Sequence, residues 1–396
     1  MSKIVCPYCF AKFDRSKVEF RCANFARCPG TARDSVLSKY WGEDQRAGRH
    51  IPAPKGLHSI LGKAPKSVVC PDCHERTFQT ICPECHNRIP TDMVEHKGFI
   101  ISIIGARASG KTNYITVLID ELKKHGYKLG DMGITAQNIA DKPEYNTQNR
   151  YENNFYNQLY CQKTCHSNTD VNAKENKVPL IYELMNSKKQ SMFLVLYDTA
   201  GENFTDPNNI AARAQFLKES DAVLFLLDTF QVPYVREKLG ITGGEQIRYN
   251  TILDSVLSFF NNSDPAISKA HFSKPMALVF TKIDAILTNP EKFEDTSIAG
   301  MSIEQNSNFI YNEPVSLKEL SNNSDSLMNT LRLWGENNFV TNIKNHYKNI
   351  KYFGISALGS EPDSSNKILS VKPYRVLDPL VWLLHEFGFG LPLKKE

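Results

Sequence analysis

The stretch "IISIIGARASGKTNYITVLI" (residues 100–119) decides the fold of this chain. An apolar run typical of a buried β-strand ends at Gly105, a loop of small residues follows, and helical spacing begins after Thr112. The letters "GARASGKT" fit the phosphate-binding pattern G-x-x-x-x-G-K-[ST]. In that pattern backbone N–H groups face the phosphates, Lys111 reaches the β- and γ-phosphate oxygens, and the Thr112 hydroxyl ligates Mg²⁺. The predicted nucleotide contacts are Gly105, Ala106, Ala108, Ser109, Gly110, Lys111 and Thr112.

A second apolar run, "SMFLVLYDTAGE" (191–202), ends in the pattern Asp-x-x-Gly. An acidic residue at the carboxyl end of a buried strand is where a partner for Mg²⁺ belongs, so Asp198 is predicted at the metal site. Gly201 lacks a Cβ, and its N–H is predicted to contact a γ-phosphate. The alternative is a strand that ends in an ordinary turn, and the phosphate loop upstream argues against it.

The run "MALVFTKID" (276–284) follows another buried strand, "DAVLFLLD" (221–228), and ends in Thr-Lys-x-Asp. A carboxylate at Asp284 can accept hydrogen bonds from N1–H and N2–H₂ of guanine, whereas adenine offers neither donor in that geometry. We predict that Asp284 selects guanine and that Lys282 lays its aliphatic stem along the base. The later strand "IKYFGISALG" (350–359) opens into a tripeptide whose N–H groups are predicted to contact the guanine carbonyl. The base-binding residues predicted from these two segments are Thr281, Lys282, Asp284, Ser356, Ala357 and Leu358.

Eight of the ten cysteines precede residue 86, and three of their four pairs are C-x-x-C. This spacing places two thiolates on a tight turn, and two such turns complete a four-cysteine zinc shell. The expected sets are consecutive: Cys6, Cys9, Cys22 and Cys28 in one, and Cys70, Cys73, Cys82 and Cys85 in the other. An interleaved pairing, in which the first and last pairs share an ion, stays open. Disulfides and an iron–sulfur cluster are weaker alternatives, the first because no export signal is recognised.

In their order along the chain, "GARASGKT", "DTAGE", "TKID" and "SAL" resemble the motifs of the Ras-like, TRAFAC-class P-loop GTPases, over roughly residues 97–390. With the cysteine pairs, the layout is similar to that of bacterial zinc-ribbon-fused GTPases of the double-GTPase type. That group is thought to act with separately encoded regulators in conflict or stress systems. The resemblance implies an α/β fold with a mostly parallel six-stranded sheet, helices on both faces, GTP or GDP with Mg²⁺ at the strand ends, and two switch segments.

Two domains are expected: a zinc-binding module of residues 1–96 and a GTPase domain of residues 97–396. Insertions are predicted near 126–177, 229–274 and 288–345. In the third, an apolar stripe predicts a helix that packs into the core rather than a partner surface. The stripe consists of Leu317, Leu320, Leu327, Leu331 and Trp334.

Several positions depart from the family pattern. The first switch should supply a threonine to Mg²⁺ and the γ-phosphate, and Thr164 is preferred to Thr169. Glu202 stands where a glutamine commonly orients the attacking water; either it accepts a proton there, or its charge hinders hydrolysis, or it faces solvent. Arg107 is either a built-in arginine finger or an exposed stabiliser of the loop. The run from Cys161 to His166 contains three side chains that could ligate a metal ion. The preferred interpretation is two ordinary thiols and a histidine rather than a third metal site.

Composition limits the function classes. The net charge is +4, and residues 1–96 hold 15 basic and 10 acidic side chains, a bias too small to require nucleic acid. The longest apolar runs fall short of a membrane span, so a cytoplasmic protein is expected. The preferred function is a slow GTPase switch whose zinc module recruits a protein partner, either an activator or an effector. The alternatives are a GTP-bound scaffold with impaired hydrolysis and a nucleic-acid-binding zinc protein controlled by its GTPase domain.

Overall fold

The structure is a computed structural model that describes residues 3–56, 60–96, 98–106, 108–166, 178–197, 216–243, 249–293 and 314–395. None of the helices in this part of the chain combines the length and the apolar character that a membrane span needs.

In its described residues, the cysteine-rich N-terminal module has short antiparallel strands, a 3-10 turn (Arg15–Lys17) and short α-helices. Its elements are β1 (Lys3–Val5), β2 (Lys12–Asp14), β3 (Glu19–Arg21), β4 (Ala32–Arg33), α1 (Ser35–Trp41), β5 (Arg46–Ala47), β6 (His50–Ile51), β7 (Val68–Val69), β8 (Arg76–Thr77), β9 (Gln79–Ile81), β10 (Arg88–Ile89) and α2 (Thr91–Glu95). Among the described residues, one sheet has the order β10-β9-β3-β6, and the other strands pair as β1 with β2, β4 with β5, and β7 with β8. Strands from both ends of the module therefore share its largest sheet.

A larger, mostly parallel sheet forms the centre of the second domain, which follows the N-terminal module. Its strands are β11 (Gly98–Gly105), β12 (Gly133–Ala136), β13 (Leu180–Met185), β14 (Ser191–Leu196), β15 (Ala222–Asp228), β16 (Met276–Thr281) and β17 (Ile350–Gly354). In the described residues they lie in the order β12-β13-β14-β11-β15-β16-β17, parallel from β14 to β17 and antiparallel at β12 and β13. The predicted α/β fold is confirmed, with seven strands rather than six. The extra strand is β12, which lies in the first predicted insertion and extends the sheet beyond β13.

Helices cover both faces of this sheet, because its central strands are apolar on both sides. The helices are α3 (Lys111–His125), α4 (Thr147–Tyr151), a π-helix (Glu152–Cys161), α5 (Pro233–Leu239), α6 (Tyr249–Asn261), α7 (Pro265–Phe272), α8 (Asp284–Leu287), α9 (Leu317–Leu333), α10 (Asn337–His346) and α11 (Asp378–Glu386). One apolar cluster joins α3 and α11, with Tyr114 and Trp382 at its centre. The other joins α6, α9 and α10 through Phe260, Leu331 and Phe339.

The stripe on α9 confirms the predicted core helix. Leu320, Leu327 and Leu331 are at most 3% exposed, and Trp334, at the end of the helix, is 4% exposed. Leu317 packs against the same core from a partly buried position. This helix therefore stabilises the sheet and offers no apolar stripe to a partner.

The module packs directly on the large sheet, a contact that the sequence did not reveal. The Phe10 ring lies 5.3 Å from the Tyr197 ring and 5.4 Å from the Phe216 ring, measured between centroids. The Tyr197 hydroxyl donates a hydrogen bond to the Pro7 carbonyl. Phe10 directly follows the first C-x-x-C turn, so the module and the sheet share one apolar cluster.

A buried histidine on α7 makes the stability of this domain pH-dependent. His271 stacks on Phe260 with 3.5 Å between ring centroids, and burial lowers the pKa of His271 to about 3. In the unfolded chain its pKa is about 6.5, so the unfolded state binds more protons between these values. The stabilising contribution is complete above about pH 6.5 and declines as the pH falls toward 3.

We expect this single group to cost about 2 kcal/mol of unfolding free energy between pH 7.5 and pH 5. Urea unfolding at the two pH values measures the loss, which should be about 2 kcal/mol smaller in His271→Gln than in the wild type. His74→Gln, at an exposed histidine, should behave like the wild type. Equal losses in all three proteins would contradict the assignment.

Candidate functional site

The loop between β11 and α3 is held by backbone conformations that favour glycine. Gly110 has φ +82°, and a Cβ added at Gly105 would lie 2.5 Å from the Leu226 carbonyl oxygen. Ala108 adopts φ +60°, a left-handed conformation that costs on the order of 1 kcal/mol for a residue with a Cβ. Strain of this kind persists where the surrounding structure determines the backbone, as at a ligand site.

Lys111 begins helix α3 and lies inside the loop, only 6% exposed. Its Nζ donates to the carbonyl oxygens of Gly105 at 2.9 Å and Ala106 at 2.8 Å. The helix N-terminus adds a partial positive charge at the same place. The loop therefore presents a fixed ammonium group and a helix N-terminus, which is the arrangement that binds phosphate.

The end of β16 is connected to this loop by hydrogen bonds. The Thr281 hydroxyl donates to the Ser109 carbonyl at 3.0 Å, and the Thr229 hydroxyl donates to the Thr281 carbonyl at 2.5 Å. Both threonine side chains are buried. The carboxyl ends of β11, β15 and β16 are thus fixed relative to one another, at the sheet edge where α/β proteins bind ligands.

Lys282 follows Thr281 in a left-handed conformation, with φ +60°. Its Nζ contacts Asp228 Oδ2 at 2.7 Å and lies 5.0 Å from the centre of the Phe230 ring. The buried Asp228 carboxylate therefore fixes the direction of the Lys282 stem along the cleft wall, as its predicted role requires.

Asp284 begins helix α8 and is 8% exposed. Burial raises the pKa of its carboxyl group, while a hydrogen bond from Ser356 and the charge of Lys282 act in the opposite direction. Ser356 is itself 1% exposed and exchanges backbone hydrogen bonds with Tyr374. Two N–H donors from a ligand would stabilise the ionised form of this desolvated carboxylate.

These elements surround one cleft of about 630 Å³. Ten of the residues predicted to contact nucleotide line it: Ala108, Gly110, Lys111, Thr112, Thr281, Lys282, Asp284, Ser356, Ala357 and Leu358. Gly105, Ala106 and Ser109 are buried behind the loop and form its base. The structure thus brings together residues that lie up to 250 positions apart in the sequence, and the phosphate loop and Asp284 face the same space.

Thr164, predicted to close the first switch over Mg²⁺, does not line the cleft in this structure. Its hydroxyl donates to the Gln162 carbonyl at 3.2 Å and accepts a hydrogen bond from Lys367 Nζ at 2.7 Å. The next two residues, Cys165 and His166, line the cleft instead. A short backbone pairing of residues 163–165 with residues 366–368 turns the Thr164 side chain away from the phosphate loop.

Sequence reasoning missed four other parts of the wall: Asn113, the pair Cys165 and His166, Phe230, and the loop 360–366. The backbone N–H of His166 donates a hydrogen bond to Asn113 Oδ1 at 3.1 Å. Burial lowers the pKa of the His166 imidazole. Phe230 could have been predicted from the sequence, because it lies two residues after the carboxyl end of β15. The run from Cys161 to His166 was considered only as a metal site, and Asn113 and the loop 360–366 carried no recognisable motif.

The remaining predicted residues of the site are Arg107, Asp198, Gly201 and Glu202, with Thr169 as the second choice for the first switch. All five lie outside the described residues.

The eight N-terminal cysteines form two clusters with the spacing of zinc sites. The Sγ atoms of Cys6 and Cys85, and those of Cys9 and Cys82, are 3.7 Å apart. In the second cluster the distances are 3.5 Å from Cys22 to Cys73 and 3.7 Å from Cys28 to Cys70. Thiolates at about 2.3 Å from a tetrahedral zinc ion are separated by about 3.8 Å, so both clusters fit zinc. All ten cysteines are free, which excludes the disulfide alternative.

The expected consecutive pairing of the cysteines is wrong. Cys6 and Cys9 share a cluster with Cys82 and Cys85, which we call the outer cluster because it joins the first and last of the four pairs in the sequence. The inner cluster consists of Cys22, Cys28, Cys70 and Cys73. The first turn lies between β1 and β2, which form a separate sheet, so it meets the last turn, between β9 and β10, through the packing of the module and not through spacing along the chain. By contrast, no group of potential metal ligands in the described part of the chain includes Cys161, Cys165 or His166.

Several known proteins are similar to this chain. A protein from Mycolicibacterium smegmatis, SaeC, named as a candidate ESX-1 scaffolding and assembly protein, is 25% identical over 98% of this chain and 100% of its own length. Two solved structures are similar at low TM-scores that carry no argument of their own. The Arl6 (BBS3) small GTPase of Trypanosoma brucei with GppNp has a TM-score of 0.30 and 10% identity, covering 74% of this chain and 98% of Arl6. Era with MgGDPNP and a 16S ribosomal RNA segment has a TM-score of 0.28 and 13% identity, covering 76% of this chain and 59% of Era.

The family match rests on the sequence itself. The model of the Double-GTPase 2 family matches residues 99–328, which include the phosphate loop, β14 to β16, and Asp284. Because this match covers more than half of the chain, the protein belongs to the Double-GTPase 2 family.

Proposed function

We propose that this chain is a GTP-binding switch that hydrolyses GTP with Mg²⁺. The observation that carries the proposal is the shared cleft, in which Lys111 and the buried carboxyl group of Asp284 face the same space. The two groups suit opposite ends of one ligand: an ammonium at a helix N-terminus for phosphate, and a carboxylate acceptor for the N–H donors of guanine. A volume of about 630 Å³ is typical of a small-molecule site.

The residues of the cleft also fit a magnesium ion. The Thr112 side chain lines the cleft beside Lys111 and carries the oxygen ligand type that Mg²⁺ prefers. Asp198 is the proposed second partner, by its position after β14. When bound, Mg²⁺ neutralises charge on the β- and γ-phosphate oxygens. Gly201 is proposed to sense the γ-phosphate, and Arg107 and Glu202 to set the hydrolysis rate.

Single-turnover phosphate release from bound GTP, with ATP in parallel, tests the proposal. We expect slow release, on the order of 10⁻⁴ to 10⁻² s⁻¹, because such domains often lack one transition-state group until a partner supplies it. Lys111→Ala should lower the rate about 10²- to 10³-fold, since it removes a preorganised donor to the developing charge.

Lys123→Ala is the matched control, because Lys123 lies on the same helix with an exposed side chain outside the cleft. It should release phosphate at the wild-type rate. Faster release from ATP than from GTP, or equal release in Lys111→Ala and the wild type, would contradict the proposal.

The same measurement distinguishes the proposed switch from a second candidate function, a scaffold that binds GTP without hydrolysing it. The relative SaeC is named for scaffolding and assembly, and its similarity extends over nearly the whole of this chain, including the cysteine-rich module. Tight GTP binding without cleavage would favour this candidate. In both cases the zinc module is proposed to recruit a protein partner.

A further inference from the structure

Three side chains of the N-terminal module form a cluster separate from both cysteine sites. Glu19, His50 and His86 each place one potential metal-ligating atom within 4.8 Å of those of the other two residues. Glu19 lies on β3 and His50 on β6, and these strands are neighbours in the sheet. His86 directly follows Cys85 in the last C-x-x-C turn. The fold therefore brings together two imidazoles and one carboxylate from three separate segments.

The orientation of His86 is set by a carboxylate behind it. Its Nδ1 contacts both carboxylate oxygens of Asp34, at 2.8 and 2.9 Å. This contact leaves Nε2 as the ring atom available to a ligand. A histidine bound to a metal characteristically donates its other ring N–H to a carboxylate, which fixes the ring and raises its basicity. The Asp34–His86 pair has that form.

His50 supplies the second imidazole. Its Nε2 lies 2.6 Å from Glu19 Oε2, and its ring lies 4.6 Å from the His86 ring, measured between centroids. Two ligands of a tetrahedral ion with bonds of about 2.0–2.1 Å are about 3.3 Å apart, so the His50–Glu19 contact has to open by less than about 1 Å. The side chains of His50 and Glu19 are 37% and 19% exposed, which gives an ion access from solvent.

Arg21, a cation packed against this cluster, is matched by its own partners. Arg21 pairs with His50 in the register of β3 and β6 and is 3% exposed. Its guanidinium contacts Asp141 Oδ2 at 2.6 Å and donates to the His86 carbonyl. Arg88 also interacts with Asp141, so the three carboxylates of Glu19, Asp34 and Asp141 face these two guanidinium groups. The remaining charge is negative, which suits a cation.

We propose that Glu19, His50 and His86 bind a divalent transition-metal ion, with Zn²⁺ as the first candidate, at a third metal site. The two cysteine clusters are closed shells of four ligands, whereas this cluster offers three ligands among the described residues. Two imidazoles and one carboxylate with an open fourth position are typical of zinc sites that exchange ligands. With three protein ligands rather than four thiolates, the third ion is expected to be held less tightly than the two cysteine-bound ions, and Asp34 is a positioning residue that acts through His86.

Cobalt titration of the full-length, zinc-loaded protein tests this proposal. After treatment with a chelating resin, the cysteine sites keep their two zinc ions, and added Co²⁺ should bind at one further site. Its absorption spectrum should show the d–d bands of nitrogen and oxygen ligation without a thiolate charge-transfer band. His50→Gln and Glu19→Gln should each weaken the binding about tenfold or more, and Asp34→Asn about 10- to 100-fold.

His74→Gln is the matched control. His74 follows Cys73 as His86 follows Cys85, with φ +59° against +58°, but it is exposed and outside the cluster. The Asp34 side chain caps helix α1 by accepting a hydrogen bond from the Leu37 N–H. An asparagine side chain at this position can accept the same hydrogen bond, so the cap is retained. Only variants that keep two zinc ions are compared, so misfolding is not mistaken for loss of the site. Wild-type protein that binds no cobalt beyond its two zinc ions, or binding weakened equally in His74→Gln and His50→Gln, would overturn the proposal.

Discussion

Replacement of both Cys9 and Cys82 by serine should leave one tightly bound zinc ion per chain and unfold the part of the N-terminal module around the outer cluster. Both cysteines belong to the cluster that packs beneath Phe10, so the double variant removes ligands from a single site. A structural zinc ion contributes on the order of 10–16 kcal/mol in small modules, far more than the short strands of this module supply. The zinc content after treatment with a chelating resin, and the melting temperature, measure the outcome.

The comparison variant is Cys9→Ser with Cys22→Ser, which removes one ligand from each cluster and should leave no tightly bound zinc. Consecutive pairing reverses the expectation: the first variant would lose both ions, and the second only one. Cys161→Ser, at an exposed cysteine outside both clusters, should keep two ions and the wild-type melting temperature. The three zinc counts together decide the pairing.

The outer cluster is also expected to matter for the nucleotide domain. Phe10 contacts Tyr197 and Phe216, which flank residues 198–215 and hence Asp198. Loss of the zinc ion bound by Cys6 and its three partners should expose these aromatic side chains to solvent, whereas loss of the inner ion should leave them covered. Protection of the Tyr197 region in hydrogen exchange is the appropriate measurement.

Asp284→Asn should weaken GTP binding by about 2–5 kcal/mol, roughly 30- to 4,000-fold in Kd. The change replaces a desolvated acceptor by a group whose amide hydrogens face the N–H donors of guanine. A purine with a carbonyl oxygen at position 2 accepts from such an amide, so xanthosine triphosphate should bind the variant better than GTP does. Equilibrium binding of both nucleotides to both proteins is the measurement.

The gain for xanthosine triphosphate separates altered recognition from damage to the fold, because a misfolded variant would bind neither nucleotide. Asp363→Asn is the matched control: Asp363 lines the same cleft, but its carboxylate accepts backbone N–H groups of Ser365 and Lys367. It should leave the preference for GTP unchanged. Unaltered GTP affinity in Asp284→Asn would contradict the proposed role of Asp284.

The sequence by itself determined the parts of this protein whose chemistry is written in adjacent residues. The phosphate loop, the Thr-Lys-x-Asp segment and the later Ser-Ala-Leu segment are each a few residues long, and each follows an apolar strand. Because parallel strands present their carboxyl ends at one edge of a sheet, the order of these segments was enough to predict a shared cleft. The core position of helix α9 was likewise predictable from the 3.6-residue period of its leucines.

Only the tertiary structure decided the features that depend on which distant segments meet. Three C-x-x-C turns are locally alike, so their partners are set by the packing of the whole module and not by spacing along the chain. The side-chain direction of Thr164 follows from its pairing with residues near 367, about 200 positions away. The cluster of Glu19, His50 and His86 has the same origin, since its three segments carry no common motif. Local chemistry is encoded in contiguous residues, whereas long-range pairing is selected by the free energy of the whole packed fold.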